Sequence, residues 1–192
     1  MPRHVLMSML PNLITLARLM AVPVSVWLIL DDHLAAAFWL FVAAGVSDAV
    51  DGFLAKRFRA RTELGAYLDP LADKALLVSV YVTLGHAGYV ANWLVILIVF
   101  RDVLIIGGAI LYQTMTQSLR MEPLLISKIN TCAQISLAAL LLARIGLGFD
   151  DGGAGELLVH VVAATTLLSG AAYVLKWGIK AAFFRDSPAP GE

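Results

Sequence analysis

The chain has a single cysteine, Cys132, among 192 residues. No disulfide can close within it, and no cysteine-based zinc site can form. Charge is scarce as well: only 15% of residues are Asp, Glu, Lys or Arg, against about 25% in a soluble domain. Fourteen basic residues balance fourteen acidic ones. A nucleic-acid binder carries a basic excess, and here there is none. Neither a Gly-x-Gly-x-x-Gly turn nor a Walker-type phosphate loop occurs, and no internal repeat is visible. With 60% hydrophobic residues and a mean hydropathy of +0.83, these absences exclude a disordered chain, a collagen-like fibre and an ordinary soluble enzyme.

What the chain has is apolar length. A helix needs about 20 apolar residues to cross about 30 Å of hydrocarbon. Six stretches qualify, near 9–30, 34–57, 64–86, 90–114, 124–146 and 156–182. The expectation is an all-α, polytopic membrane protein of six transmembrane helices, with residues 1–184 forming a single domain. The polar, Pro-rich tail 185–192 is expected to be disordered. No small-x-small cleavage site follows the first span before Asp31-Asp32-His33, so it reads as a retained helix rather than a signal peptide.

Loop charge sets an orientation. Arg3, Lys56, Arg57, Arg59, Arg61, Arg120, Lys128, Lys180 and Arg185 fall on one side. Asp31, Asp32, Asp150, Asp151 and Glu156 fall on the other, with Arg144 as the lone base. Lys and Arg mark the cytoplasmic side, so both termini are expected there. Trp27, Trp39, Trp93 and Trp177 read as lipid-interface anchors. Gly107-Gly108 in the fourth span reads as a close-packing site for helices.

Four acids lie near one end of two neighbouring spans: Asp48 and Asp51 in the second, Asp69 and Asp73 in the third. A carboxylate at membrane depth is costly and therefore marks a functional site. Asp48 and Asp51 are three residues apart and share a helix face with Gly52 and Ala55. Gly65, Asp69 and Asp73 recur every four residues on the next helix. Two acidic stripes, each with small residues, can then face each other near the cytoplasmic end. Four carboxylates together repel unless cations neutralise them. Oxygen-only ligands suit Mg²⁺, Mn²⁺ or Ca²⁺, and two such ions about 3.5–4 Å apart can clamp a phosphoryl group.

Two other readings compete. The acids can pair with Lys56, Arg57 and Lys74 as structural salt bridges, but Lys74 points elsewhere on its helix and pairing does not explain the glycines. A proton or cation pathway also uses intramembrane acids. A transporter usually shows matching broken helices in both halves, and spans four to six carry no matching cluster. Pro70, directly after Asp69, removes one helix hydrogen bond and can kink the third span.

The run Asp48-x-x-Asp51-Gly52-x-x-Ala55-Lys56, then Gly65-x-x-x-Asp69-x-x-x-Asp73, resembles the signature of the CDP-alcohol phosphatidyltransferases. Pro11-Asn12-Leu13-Ile14-Thr15-x-x-Arg18 with Pro23 is similar to that family's first-helix pattern. Lys56 departs from it, since the family usually has Arg there. The resemblance implies that an alcohol attacks the lipid-side phosphorus of CDP-diacylglycerol and CMP leaves. It implies that Asp48, Asp51, Asp69 and Asp73 hold two Mg²⁺ or Mn²⁺ ions, and that Asp73 is also the general base. It implies that Asn12, Asp48, Asp51, Gly52, Ala55, Lys56, Thr62 and Gly65 contact CDP-diacylglycerol. A homodimer is likewise implied. If the chain is bacterial, the cytoplasmic membrane is expected, and loop charge puts the active site on the cytoplasmic side.

The acceptor is read from other residues. Arg101 in the fourth span, and Ser127 and Lys128 opening the fifth, are candidate acceptor contacts. Pairing of Arg101 with a nearby acid, and a snorkelling role for Lys128, are the bland alternatives. Arg101-Asp102-Val103 and Ile126-Ser127-Lys128-Ile129-Asn130-Thr131 resemble the cardiolipin-synthase type. Ala109 stands where phosphatidylglycerophosphate synthases usually carry a further Arg. A missing base favours phosphatidylglycerol, with one diester charge, over glycerol 3-phosphate.

Overall fold

The computed structural model describes the backbone of residues 3–58, 63–116 and 124–185, and the side chains of 14–50, 71–108 and 124–176. The described residues form six α-helices and no strand. They are α1 (Arg3–Leu30), α2 (Leu34–Phe58), α3 (Glu63–His86), α4 (Asn92–Thr116), α5 (Leu125–Leu147) and α6 (Ala154–Arg185). Each lies on one of the six apolar stretches, with ends shifted by a few residues. The largest shift is at α1, which begins at Arg3. Helix α3 is continuous through Pro70, and α6 includes Arg185, so the tail expected to be disordered lies outside the described residues only from 186 onward.

The helices close into a ring in the order α1, α2, α5, α6, α4, α3, with α3 and α5 also meeting across the middle. Tyr81 on α3 marks that crossing, its hydroxyl donating to the Gln134 carbonyl on α5 at 2.8 Å. Around it lie Leu84, Leu94, Ile98, Leu137, Leu142 and Val162, all without solvent exposure. The connections 31–33, 87–91 and 148–153 gather at one end. Tyr89 reaches Asp32 there at 3.3 Å, and Arg144 pairs with Asp151 at 3.7 Å. Helix α5 ends at Gly148, whose φ of 68° is the left-handed cap that glycine adopts without steric cost.

Close helix approach occurs where the sequence did not advertise it. A Cβ at Gly146 would lie 2.5 Å from the backbone of Leu34 and Ala35, so α5 and α2 touch there only because the side chain is absent. Gly107, expected to serve this purpose, faces open space.

Apolar side chains cover the outside as well as the core. Trp27, Trp39, Trp93, Ile96, Phe100 and Leu167 are all exposed, while Arg18, Arg101, Asp102, Asn130 and Gln134 are buried. Among the described residues, two helical segments, Leu125–Leu147 and Ala154–Lys176, are long and apolar enough to cross a bilayer.

Candidate active site at the acidic mouth of a cavity

Three helices deliver charge to one point. Arg18 of α1 is buried, its side chain only 3% exposed. Its Nη1 donates to Asp73 Oδ1 of α3 at 2.5 Å and lies 3.0 Å from Asp48 Oδ1 of α2. The carboxylates are 42% and 47% exposed. The base is therefore set behind the acids, which open outward. All three stand at mid-helix depth, about 20 Å along their helices from the end that gathers Asp31, Asp32 and Asp151. The facing of the two acidic stripes is thus realised for Asp48 and Asp73. Their sequence partner Lys74 is not what joins them; Arg18 is.

Asp48 and Asp73 line a cavity of about 640 Å³ between α1, α2, α3 and α5. Arg18, Asp48, Asp73 and Lys74 make its polar end. Phe41, Leu77, Ile135 and Ala139 continue it as an apolar groove. The volume lies within the roughly 300–1,000 Å³ of small-molecule sites, and its two-ended lining suits an amphiphile.

The converging donors are carboxylate oxygens aimed at one positive point, the chemistry a hard divalent cation requires. Asp51 and Asp69 stand on the same two helices, within about one turn of Asp48 and Asp73, with side chains outside the described residues. Among the described residues no three His, Cys, Asp or Glu side chains form a metal-holding group. Thr62 lies outside the described residues, and Asn12, Gly52, Ala55, Lys56 and Gly65 are described in backbone only.

A second charged cluster lies beside the first. Lys74 Nζ meets Asp102 Oδ1 of α4 at 2.8 Å. Arg101 Nη1 meets the same oxygen at 2.9 Å. Arg101 also donates through Nη2 to Ser127 of α5 at 2.5 Å and to Ser169 of α6 at 2.6 Å, and through Nε to Ser169 at 3.2 Å. One guanidinium thus ties α4, α5 and α6 together, and Asp102 joins α3 to them. Arg101 and Asp102 are each 4% exposed.

The polar run that opens α5 splits around the helix. Ser127 faces Arg101, Thr131 faces the cavity, and Lys128 is exposed beside a shallow groove shared with Thr131 and Ser136. Asn130 and Gln134 turn inward, without exposure. Asn130 accepts from Thr165 and Thr166 of α6 at 2.8 and 2.9 Å. Sequence reasoning missed Arg18 as the link between the acids, and Asp102 and Ser169 as partners of the inner cations. Arg18 and Asp102 each left a signal, as a charge inside an apolar span; Ser169 left none.

A family profile described as CDP-alcohol phosphatidyltransferase matches residues 8–177. The chain is 31% identical over 184 residues to the CDP-diacylglycerol–glycerol-3-phosphate 3-phosphatidyltransferase of Bacillus subtilis, covering 87% of this chain and 94% of that one. It is 32% identical over 180 residues to the cardiolipin synthase (CMP-forming) of Rattus norvegicus, covering 85% and 60%. It is 34% identical over 181 residues to a cardiolipin synthase (CMP-forming) / mitochondrial hydrolase fusion protein of Schizosaccharomyces pombe, covering 86% and 30%. The chain spans 30–60% of the length of several curated relatives it matches. With the signature Asp48–Asp73 inside the matched region and two of its acids meeting at one cavity, the chain belongs to the CDP-alcohol phosphatidyltransferase family.

Proposed function

We propose that this chain is a membrane-embedded phosphatidyltransferase of phospholipid biosynthesis that moves a phosphatidyl group from CDP-diacylglycerol to an alcohol and releases CMP. The observation that carries this is the convergence of Asp48 and Asp73 at the polar end of an amphiphile-shaped cavity. Family membership also displaces the transporter reading.

Asp48, Asp51, Asp69 and Asp73 would hold two Mg²⁺ or Mn²⁺ ions, which neutralise the diphosphate and ease departure of CMP. The chain's own residues do the rest. Asn12, Gly52, Ala55, Lys56, Thr62 and Gly65 line the nucleotide end. Asp73 takes the proton from the acceptor hydroxyl as its oxygen bonds to the lipid-side phosphorus. Arg18 holds the Asp48 and Asp73 carboxylates at that spot, so little reorganisation is needed on reaction.

The acceptor is phosphatidylglycerol, giving a cardiolipin-type product. The apolar groove beyond the acids supports a lipid acceptor, and Ala109 withholds the extra base that a doubly charged one would use. Ser127 and Lys128 line a shallow groove that shares Thr131 and Ile135 with it, and Arg101 backs Ser127. Glycerol 3-phosphate is the second reading, favoured by the near full-length similarity to the Bacillus subtilis protein. The apolar exterior supports six spans; loop charge supports cytoplasmic termini and a cytoplasmic active site, and the family resemblance supports a homodimer.

CMP release by the purified protein in detergent tests this, with CDP-diacylglycerol and Mg²⁺ or Mn²⁺. Phosphatidylglycerol and glycerol 3-phosphate are supplied in parallel, and Asp69→Asn is the blank. CMP that depends on phosphatidylglycerol is the expected result. Dependence on glycerol 3-phosphate overturns the acceptor, and no CMP with either overturns the activity.

A further inference from the structure

Lys74 stands where the two charged clusters meet. It follows Asp73 by one residue, so its side chain leaves the helix about 100° further round. Asp73 turns to Arg18 on α1 and Lys74 turns to Asp102 on α4, yet both line the same cavity. An ammonium has three donors. One is used on Asp102 Oδ1 at 2.8 Å, and the side chain is 24% exposed. Arg101 is in the opposite condition. Its three nitrogens are all engaged by Asp102, Ser127 and Ser169, and it is buried.

Resting on the reading that the acceptor carries a phosphate, we propose that Lys74 binds that phosphate beside the acidic mouth, and that Asp102, clamped by Arg101, is the positioning residue that holds the ammonium there. Formal charge agrees. Lys74 and Arg101 supply two positive charges and Asp102 one negative, so the cluster keeps one positive charge, and it can be offered to the cavity only through Lys74. That surplus matches a phosphodiester. Asp102 engages Lys74 through one oxygen, Oδ1, which leaves the other two ammonium donors for a ligand. Thr131 lines both this cavity and the shallow groove beside Lys128, so a phosphate held at Lys74 lies next to the α5 surface.

The test uses the full chain in detergent with Lys74→Gln, Lys74→Arg and Asp102→Asn. Two readouts separate this inference from the activity on which it rests. The first is the KM for phosphatidylglycerol and for glycerol 3-phosphate against the KM for CDP-diacylglycerol. Lys74→Gln is expected to raise the acceptor KM about tenfold or more, the worth of a charged hydrogen bond, and to leave the donor KM unchanged. Lys74→Arg should recover most of the loss, and Asp102→Asn should move the acceptor KM in the same direction by less. The second is thermal stabilisation by phosphatidylglycerol or glycerol 3-phosphate relative to diacylglycerol or glycerol, which needs no turnover. Lys74→Gln should abolish the phosphate-dependent part. A stabilisation that Lys74→Gln retains, or none in the unsubstituted protein, overturns the proposal. So does a loss confined to kcat with both KM values unchanged. Absence of CMP with either acceptor overturns the activity instead, and the stabilisation then still decides whether Lys74 binds phosphate.

Discussion

Replacing Arg18 with Gln removes the charge and shortens the side chain, so nothing reaches the position that Nη1 holds between the two carboxylates. Two carboxylates then face each other with the base behind them gone. The contact with Asp73 is a charge-assisted hydrogen bond, worth about 1.5–3 kcal/mol in a fully buried setting, and the contact with Asp48 is an ion pair. Arg18 is buried, but Asp48 and Asp73 are nearly half exposed, so screening reduces the pair of contacts to about 2 kcal/mol. For a chain of this size that is a fall of about 4–8 °C in apparent Tm. The assay is thermal unfolding in detergent, followed by tryptophan fluorescence, with EDTA and again with Mg²⁺. In EDTA the full deficit is expected. With Mg²⁺ the same carboxylates are neutralised by the metal and the deficit shrinks. A variant as stable as the unsubstituted protein in EDTA refutes the reasoning. A deficit that Mg²⁺ leaves unchanged refutes the assignment of Asp48 and Asp73 as cation ligands.

Other outcomes follow from named contacts. Asp73→Asn is expected to retain CDP-lipid binding and lose turnover; equal loss of both, measured by binding and CMP release, removes Asp73 as the base. Gly146→Ala puts a Cβ 2.5 Å from the Leu34–Ala35 backbone, which cannot yield as a side chain would, so stability should drop by about 1–3 kcal/mol. Gly107→Ala meets open space and should be neutral or stabilising by up to about 1 kcal/mol, which the same unfolding assay reads. The Gly155 backbone N–H, donating to Asp151 at 2.8 Å, holds that carboxyl below the ordinary carboxylate range, with Gly153 and Arg144 adding to it. A depressed folded-state pKa gives stability that is present above the unfolded value and lost as pH falls through the folded one. Asp151→Asn should therefore flatten the acid side of the stability profile and leave neutral pH less stable.

The helices were legible because apolar length and its interruptions are local properties. Stretches of about 20 apolar residues separated by Asp31-Asp32-His33 or by Gly-rich turns predict helices within a few residues of those observed. The same arithmetic misjudged Gly107, because a glycine in an apolar run shows only that a close approach is possible. Whether a neighbour arrives depends on helix rotation, and it arrives at Gly146. The acids were legible for a related reason: spacing of three or four on a helix places Asp48 with Asp51, and Asp69 with Asp73, before any fold is known.

Which cation meets which acid was not legible. Lys74 was read as pointing away from the acids and does, yet it lines their cavity, because a cavity between four helices collects residues from more than one face of α3. Arg101 was weighed as an acceptor ligand or the partner of an acid, and its neighbours decided: Ser127 and Ser169, 26 and 68 residues away in sequence, engage its remaining donors.

By itself, then, the sequence determined a helical chain with an inverted distribution of polarity, and an acidic signature that carries the family. Both depend on residue type and spacing along one helix. The tertiary structure decided the partners. Arg18 lies between Asp48 and Asp73, and Asp102 between Lys74 and Arg101, because ring packing brings α1 against α2 and α3, and α4 against α3 and α6. A buried charge takes whichever opposite charge the packing places within reach, and that distance is set by helix rotation and order, which no single stretch of sequence encodes.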